Sequence, residues 1–127
     1  LQKMKILVKS PKETYCDADW ISHIKLVSQA IGELVPGEDI SNIRYTVEHI
    51  EVFKLNRQLS TLSTEIFGSS LGDLKLIGRE YLLCGRLKDD ELICTNQSQV
   101  KPADNFYRVA EWNQIPESFI DEMRTFE

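Results

Sequence analysis

YCDADWISHIKLVSQAIGELVPG, residues 15–37, is the stretch on which the fold turns. Trp20, Ile24, Val27, Ile31 and Leu34 recur at intervals of three and four, with Ile21 beside them. That spacing puts them on one stripe of a helix of about four turns. Asp17 or Asp19 offers a side-chain oxygen to cap its start, and Pro36-Gly37 ends it. The expectation is a long N-terminal helix whose apolar face needs a sheet to cover it.

Working outward, KMKILVKS (3–10) has strand propensity and stops at Pro11. In NIRYTVEHIEVFKL (42–55), Ile43, Tyr45 and Val47 alternate as a strand does, and the phase slips at Glu48-His49. Val52, Leu55, Leu59, Leu62 and Ile66 have helical spacing, so a strand over 42–48 and a helix over 52–67 compete with one strand ending near Leu55. From Leu74 the pattern is β: LKLIG, REYLLCGRL and ELICTN are short β-prone runs, with KDD (88–90) as the turn between the last two. A three-residue loop there sets Leu87 against Glu91 and Cys84 opposite Cys94, on one face. A polar connection over 97–105 leads to FYRVAEW (106–112), another strand candidate. Pro116 then opens a short helix with Phe119, Ile120, Met123 and Phe126 on its apolar side. Together these predict a single α+β domain over 1–127: an antiparallel sheet of four to five strands packed on a long N-terminal helix, with a short C-terminal helix.

Composition narrows the function classes. The 127 residues are 42% hydrophobic and 28% charged, an ordinary globular balance. Net charge is −5, with +3 on residues 1–16 and −8 on the remainder. So acidic a chain argues against nucleic-acid binding, which needs clustered Lys and Arg. No apolar run approaches the roughly 20 residues of a membrane span, and LQKMKILVKSPK lacks the apolar core of a signal peptide. Three cysteines, an odd count with no CxxC, point to reduced thiols and a cytoplasmic protein.

Each chemical motif has a plainer competitor. Cys84 and Cys94 are a redox pair or two core thiols. Lys88-Asp89-Asp90-Glu91 lacks the alternating ligands and glycine of a calcium loop and reads as a solvated turn. Gly68-Ser69-Ser70-Leu71-Gly72 has no following Lys-Ser/Thr and reads as a connector. His23 lies on the polar side of the expected helix. His49, between Glu48 and Glu51, has no nucleophile placed beside it by spacing. Trp20 and Phe106 suit a core. Tyr107 and Trp112 have opposite strand parity, so one of them faces outward, where aromatics anchor partners. No metal, cofactor or catalytic set emerges.

Residues 74–123 resemble the closing half of SUKH-superfamily proteins, on Ile77-Gly78, Ile93-Cys94, a following valine and Ser118-Phe119-Ile120. These are small α+β domains, many of them immunity proteins that neutralise bacterial toxins. The resemblance implies no catalytic residues. With the acidic charge it predicts a non-enzymatic inhibitor presenting an acidic surface to a basic protein partner such as a toxin. The candidate contacts are Asp89, Asp90 and Glu91 at the hairpin tip, Glu117, Asp121 and Glu122 on the last helix, and Tyr107 and Trp112. One alternative is a small-ligand-binding domain or enzyme using His49, Glu48 and Tyr45 in a pocket between sheet and helix. Another is a secretion chaperone, which fits the size and acidity. Oligomeric state is not legible.

Overall fold

The structure is a computed structural model that describes residues 9–31, 43–55, 61–69, 77–95, 99–101 and 109–126. Helix α1 (Pro11–Asp17) is followed by strands β1 (Trp20–Ile31), β2 (Ile43–Lys54), β3 (Glu65–Ser69), β4 (Glu80–Lys88) and β5 (Glu91–Thr95). A 3-10 turn (Trp112–Gln114) leads into helix α2 (Glu117–Arg124). The strands close into a barrel in the order β1-β2-β3-β5-β4, with β3 and β5 parallel and the other neighbours antiparallel. This five-stranded Greek-key barrel has the architecture of the OB-fold.

The α+β sheet on a long helix is therefore overturned, and β1 is where the reading failed. Residues 20–31 form a central strand, paired with β2 on one side and β4 on the other. Three register irregularities leave Val27 of β1 and Ile50 and Phe53 of β2 without an opposite residue. The bulge at Val27 shifts the inward and outward phase of β1 by one, so its apolar residues depart from strict alternation. Its first half is also covered on both faces. Trp20, Ile24 and Leu26 point into the barrel, while Ile21 packs outside against the C-terminal layer. A strand buried on both sides loses its alternation. Pairing and burial override a weak helical preference.

Three further expectations change. Ser10 does not end a strand. It caps α1: its hydroxyl accepts from Glu13 N at 3.1 Å, and the Glu13 carboxylate accepts from Ser10 N at 3.4 Å. Residues 3–8 lie outside the described residues, as do Leu34, Pro36 and Gly37. The proposed helix over 52–67 is instead the end of β2 and the start of β3, with 56–60 outside the described residues. The β4–β5 turn has two residues, not three. Lys88 pairs with Glu91, and Asp89 and Asp90 both take positive φ (51° and 65°), as a mirror-image hairpin turn requires. That one-residue slip puts Cys84 and Cys94 on opposite faces, Cys94 inside the barrel and Cys84 outside it.

Two tight contacts seal the barrel at β1–β4. Gly85 faces Trp20, and a Cβ at that position would collide with both the indole ring and the Ile93 carbonyl oxygen. The indole Nε1–H donates to Arg86 O at 3.1 Å. Asp19, expected as a helix cap, accepts from Leu87 N at 2.9 Å. Farther along β4, the Gln99 side chain accepts from Cys84 N (3.0 Å) and donates to Cys84 O (2.7 Å), standing in for a neighbouring strand.

Candidate partner-binding surface

Outside the barrel, Ile21, Phe53, Leu82 and Cys84 form a second apolar face, covered by Ile115, Phe119, Ile120 and Met123 of the C-terminal segment. Glu111 forms a lone bridge with Tyr81 and brings the chain onto β4. The 3-10 turn then lays Trp112 over His23, with ring centroids 3.6 Å apart and planes 7° from parallel. His23 is buried, and its Nε2–H donates to the Glu80 carboxylate at 2.6 Å. At the other end of α2, Arg124 donates to both Glu51 carboxylate oxygens, at 2.8 and 2.9 Å, and to Asp121 at 3.2 Å. The hydrogen bonds from Arg124 hold the Glu51 carboxyl below its ordinary range. Lys54 ties α1 to the barrel by donating to Tyr15 O and Ala18 O, each at 2.6 Å, and Tyr15 meets Phe126 with centroids 5.3 Å apart.

Between the 3-10 turn and α2 lies an open groove of about 460 Å³. Trp112, Ile115 and Ile120 supply its apolar surface, and Glu117, Asp121 and Arg124 its charged rim. Three residues picked separately from the sequence, Trp112, Glu117 and Asp121, thus meet in one place. Glu122 is exposed on α2 but does not line the groove. Asp89, Asp90 and Glu91 are exposed at the far end of β4, roughly 26 Å from Glu80 at strand rise. Tyr107 and Phe106 lie outside the described residues.

The enzyme-type trio does not assemble. Tyr45 points into the barrel, where burial pushes its phenol up to about 12, while Glu48 is exposed. His49 has partners that spacing could not show. Its Nε2–H donates to Ser63 O at 2.7 Å, which leaves Nδ1 to accept from the Ser22 hydroxyl at 2.8 Å. Ser22 has no solvent exposure, so this pair joins β1 to the β2–β3 connection and offers no accessible nucleophile. Cys84 and Cys94 are buried and Cys16 is exposed, and none of the three is in a disulfide. Burial pushes the Cys84 thiol up to about 12 and raises Cys94 likewise. Among the described residues there is no group of three His, Cys, Asp or Glu able to hold a metal ion, and no helix long and apolar enough to cross a membrane.

Sequence reasoning passed over Arg124, Glu51 and Ile120 as site residues. The Asp121/Arg124 spacing of three was a usable local signal, whereas Glu51 and Arg124 are 73 positions apart. No family model matches the chain. A protein of Caenorhabditis elegans, "Putative metalloproteinase inhibitor tag-225", is 35% identical over 130 aligned positions that cover 92% of this chain and 82% of the relative. With that identity over nearly the whole chain, this protein belongs to the family of the nematode protein tag-225.

Proposed function

We propose that this protein is a non-enzymatic inhibitor that binds a metalloproteinase as its protein partner. The observation that carries the reading is the near full-length relationship to a protein bearing that name. The buried Ser22 beside His49 and the scattered Tyr45, Glu48 and His49 support a binding role over a catalytic one. The SUKH resemblance pointed to the same coarse class, an inhibitor, and the partner now proposed is a metalloproteinase in place of a toxin. The acidic surface remains part of the reading: Asp89, Asp90 and Glu91 form one candidate contact, and Trp112, Glu117, Asp121 and Glu122 the other.

The test is inhibition. The purified chain is titrated against a panel of zinc metalloproteinases cleaving a quenched fluorescent peptide. Saturable inhibition of at least one member, approaching one-to-one stoichiometry, is expected. Affinity should fall as salt rises, because an acidic surface steers a basic one. A panel untouched at micromolar inhibitor would overturn the proposal, and inhibition indifferent to salt would remove its electrostatic part.

A further inference from the structure

We infer that the edge of β1 beyond Leu26 is a docking edge for a second copy of this chain, paired antiparallel about Gln29 in a two-fold dimer. The inference is independent of the inhibitor reading and stands on strand pairing and sequence.

Only the first half of β1 has a neighbour on both sides. β4 pairs with residues 20–25. Next to it, Leu26 N donates to Arg79 O at 2.9 Å, and Leu26 O accepts from Gly78 N at 2.7 Å. On its other side β1 stays paired with β2 as far as Ile31. Among the described residues, none pairs with 27–31 on the β4 side, and Val27, Ser28, Gln29 and Ala30 are all exposed. The main chain of Gln29 faces this open side. Val47 N donates to Thr64 O at 2.8 Å, so Val47 turns its main-chain groups away from β1 and toward β3. Tyr45, two residues along β2, does the same, and its partner Gln29 therefore presents its N–H and C=O to the open edge. Gln29 also shares a sheet face with Tyr45, which fills the barrel, yet Gln29 itself is exposed. The closed part of the barrel ends before it.

An open edge is a template for another strand, and proteins commonly blunt it with charge or proline. Residues 27–31, VSQAI, carry neither. The bulge at Val27 bends one end, but from Ser28 to Ile31 the register against β2 is unbroken. The sequence decides the occupant. Residues 78 and 79 stop an incoming strand at Leu26, and β1 ends at Ile31, so the open stretch is centred on Gln29. A second copy running antiparallel about that centre sets Gln29 against Gln29, Ser28 against Ala30 and Val27 against Ile31. Each pair matches in type: amide with amide, small with small, apolar with apolar. In the sequence the nearest charges, Lys25 and Glu33, stand four positions either side of Gln29 with opposite signs. Antiparallel copies therefore do not bring like charges together. At the centre, the two Gln29 residues exchange N–H···O=C bonds. Val27 (48% exposed) and Ile77 (55% exposed), next to the Gly78 that bonds Leu26, add apolar surface at the end of the edge. A two-fold contact of this kind closes with two copies and leads to no fibre. Five strand residues span only about 16 Å, well short of the roughly 1,200–2,000 Å² of a standard stable interface, so the dimer is a weak one.

The experiment follows the full chain by sedimentation velocity from about 10 µM to about 1 mM. The weight-average mass should rise from 14.7 kDa toward twice that value, with its midpoint at high micromolar concentration. Gln29→Lys sets two like charges face to face at the two-fold axis and should raise the midpoint about tenfold. Its melting temperature in dilute solution should match wild type, because the Gln29 side chain is exposed. Hydrogen exchange on the wild-type chain then locates the contact. The Gln29 amide should exchange freely at the lowest concentration and slow markedly at the highest, while the amides of residues 43–47 keep one rate throughout. A wild-type mass that stays at 14.7 kDa across the whole range overturns the inference. So does a dimer whose midpoint is unmoved by Gln29→Lys, or one in which the Gln29 amide exchanges as fast as in the monomer. Should Gln29→Lys melt early, the wild-type exchange comparison decides alone, since it needs no substitution.

Discussion

The barrel wall has two apolar faces, and they are built differently. Trp20, Ile24, Leu26, Tyr45, Val47, Ile66, Leu83, Leu92 and Cys94 fill the interior, drawn from all five strands. The outer face takes Ile21, Phe53, Leu82 and Cys84 from three of those strands, β1, β2 and β4, and is closed by one eight-residue helix and the turn before it. Successive residues, Trp20 and Ile21 or Leu82 and Leu83, serve opposite sides. A helix of that length is not stable alone in water, so α2 exists because Phe119, Ile120 and Met123 are buried. The interior therefore sets the fold, while the outer layer is an attachment whose rim carries the candidate partner surface.

The sharpest way to break this contrast is to empty each face in turn. Trp20→Ala removes the indole and its bond to Arg86 O from the barrel, and should cost about 3–5 kcal/mol in urea unfolding. Protection from hydrogen exchange should fall in every strand together. Met123→Ala, at a fully buried outer position, should cost about 2–4 kcal/mol. Here exchange should speed up at residues 109–126 while β1 and β4 stay protected, because the layer opens locally. Parallel loss of β1 protection in Met123→Ala would show that the two faces are one cooperative unit.

Alkali probes both faces at once. Tyr45 inside and Cys84 outside have folded pKa values raised to about 12, and Cys94 is raised as well. A raised pKa gives stability that is complete below the unfolded value and is lost as pH climbs through the folded one. Stability should decline from about pH 9 upward, as the thiols and then the phenol of the unfolded chain ionise. Tyr45→Phe should remove part of that alkaline loss, on the order of 2–3 kcal/mol, and an unaltered pH profile would contradict the burial of its hydroxyl. Near neutral pH the same burial makes Cys84 and Cys94 inert: maleimide should label the native chain once, at Cys16, and the denatured chain three times. The smallest effect belongs to the rim. Arg124→Ala should lower stability only slightly, by an amount that shrinks with salt, since the pair with Glu51 is largely solvated. Because Arg124 depresses the Glu51 pKa, that contribution should also fade as pH drops below the ordinary glutamate range.

The contrast also explains what the sequence could disclose. Ile43, Tyr45 and Val47 alternate because that part of β2 has one buried face, and the strand was legible there. Trp20 to Ile31 has two buried faces over its first half and a bulge at Val27, so a period of two was hidden and a helix was read. The 88–91 turn was found, but a one-residue error in loop length moved Cys84 to the wrong face. The Ser10 to Glu13 capping box was present and passed over, because KMKILVKS looked like a strand running up to Pro11. At the candidate site, Trp112, Glu117 and Asp121 could be chosen by residue type and helix position. What joins them to His23 and Glu51 is tertiary: the 3-10 turn and the crossing of α2 over β2 have no local signature.

The claim most exposed to test is that the outer layer is the partner face and the barrel its scaffold. Hydrogen exchange by mass spectrometry on the full chain, free and bound to a metalloproteinase it inhibits, reads this directly. The account predicts added protection at residues 112–124, centred on Trp112 and α2, with the already slow β1 and β4 amides unchanged. Protection confined to residues 89–91, with 112–124 exchanging as in the free chain, would contradict it.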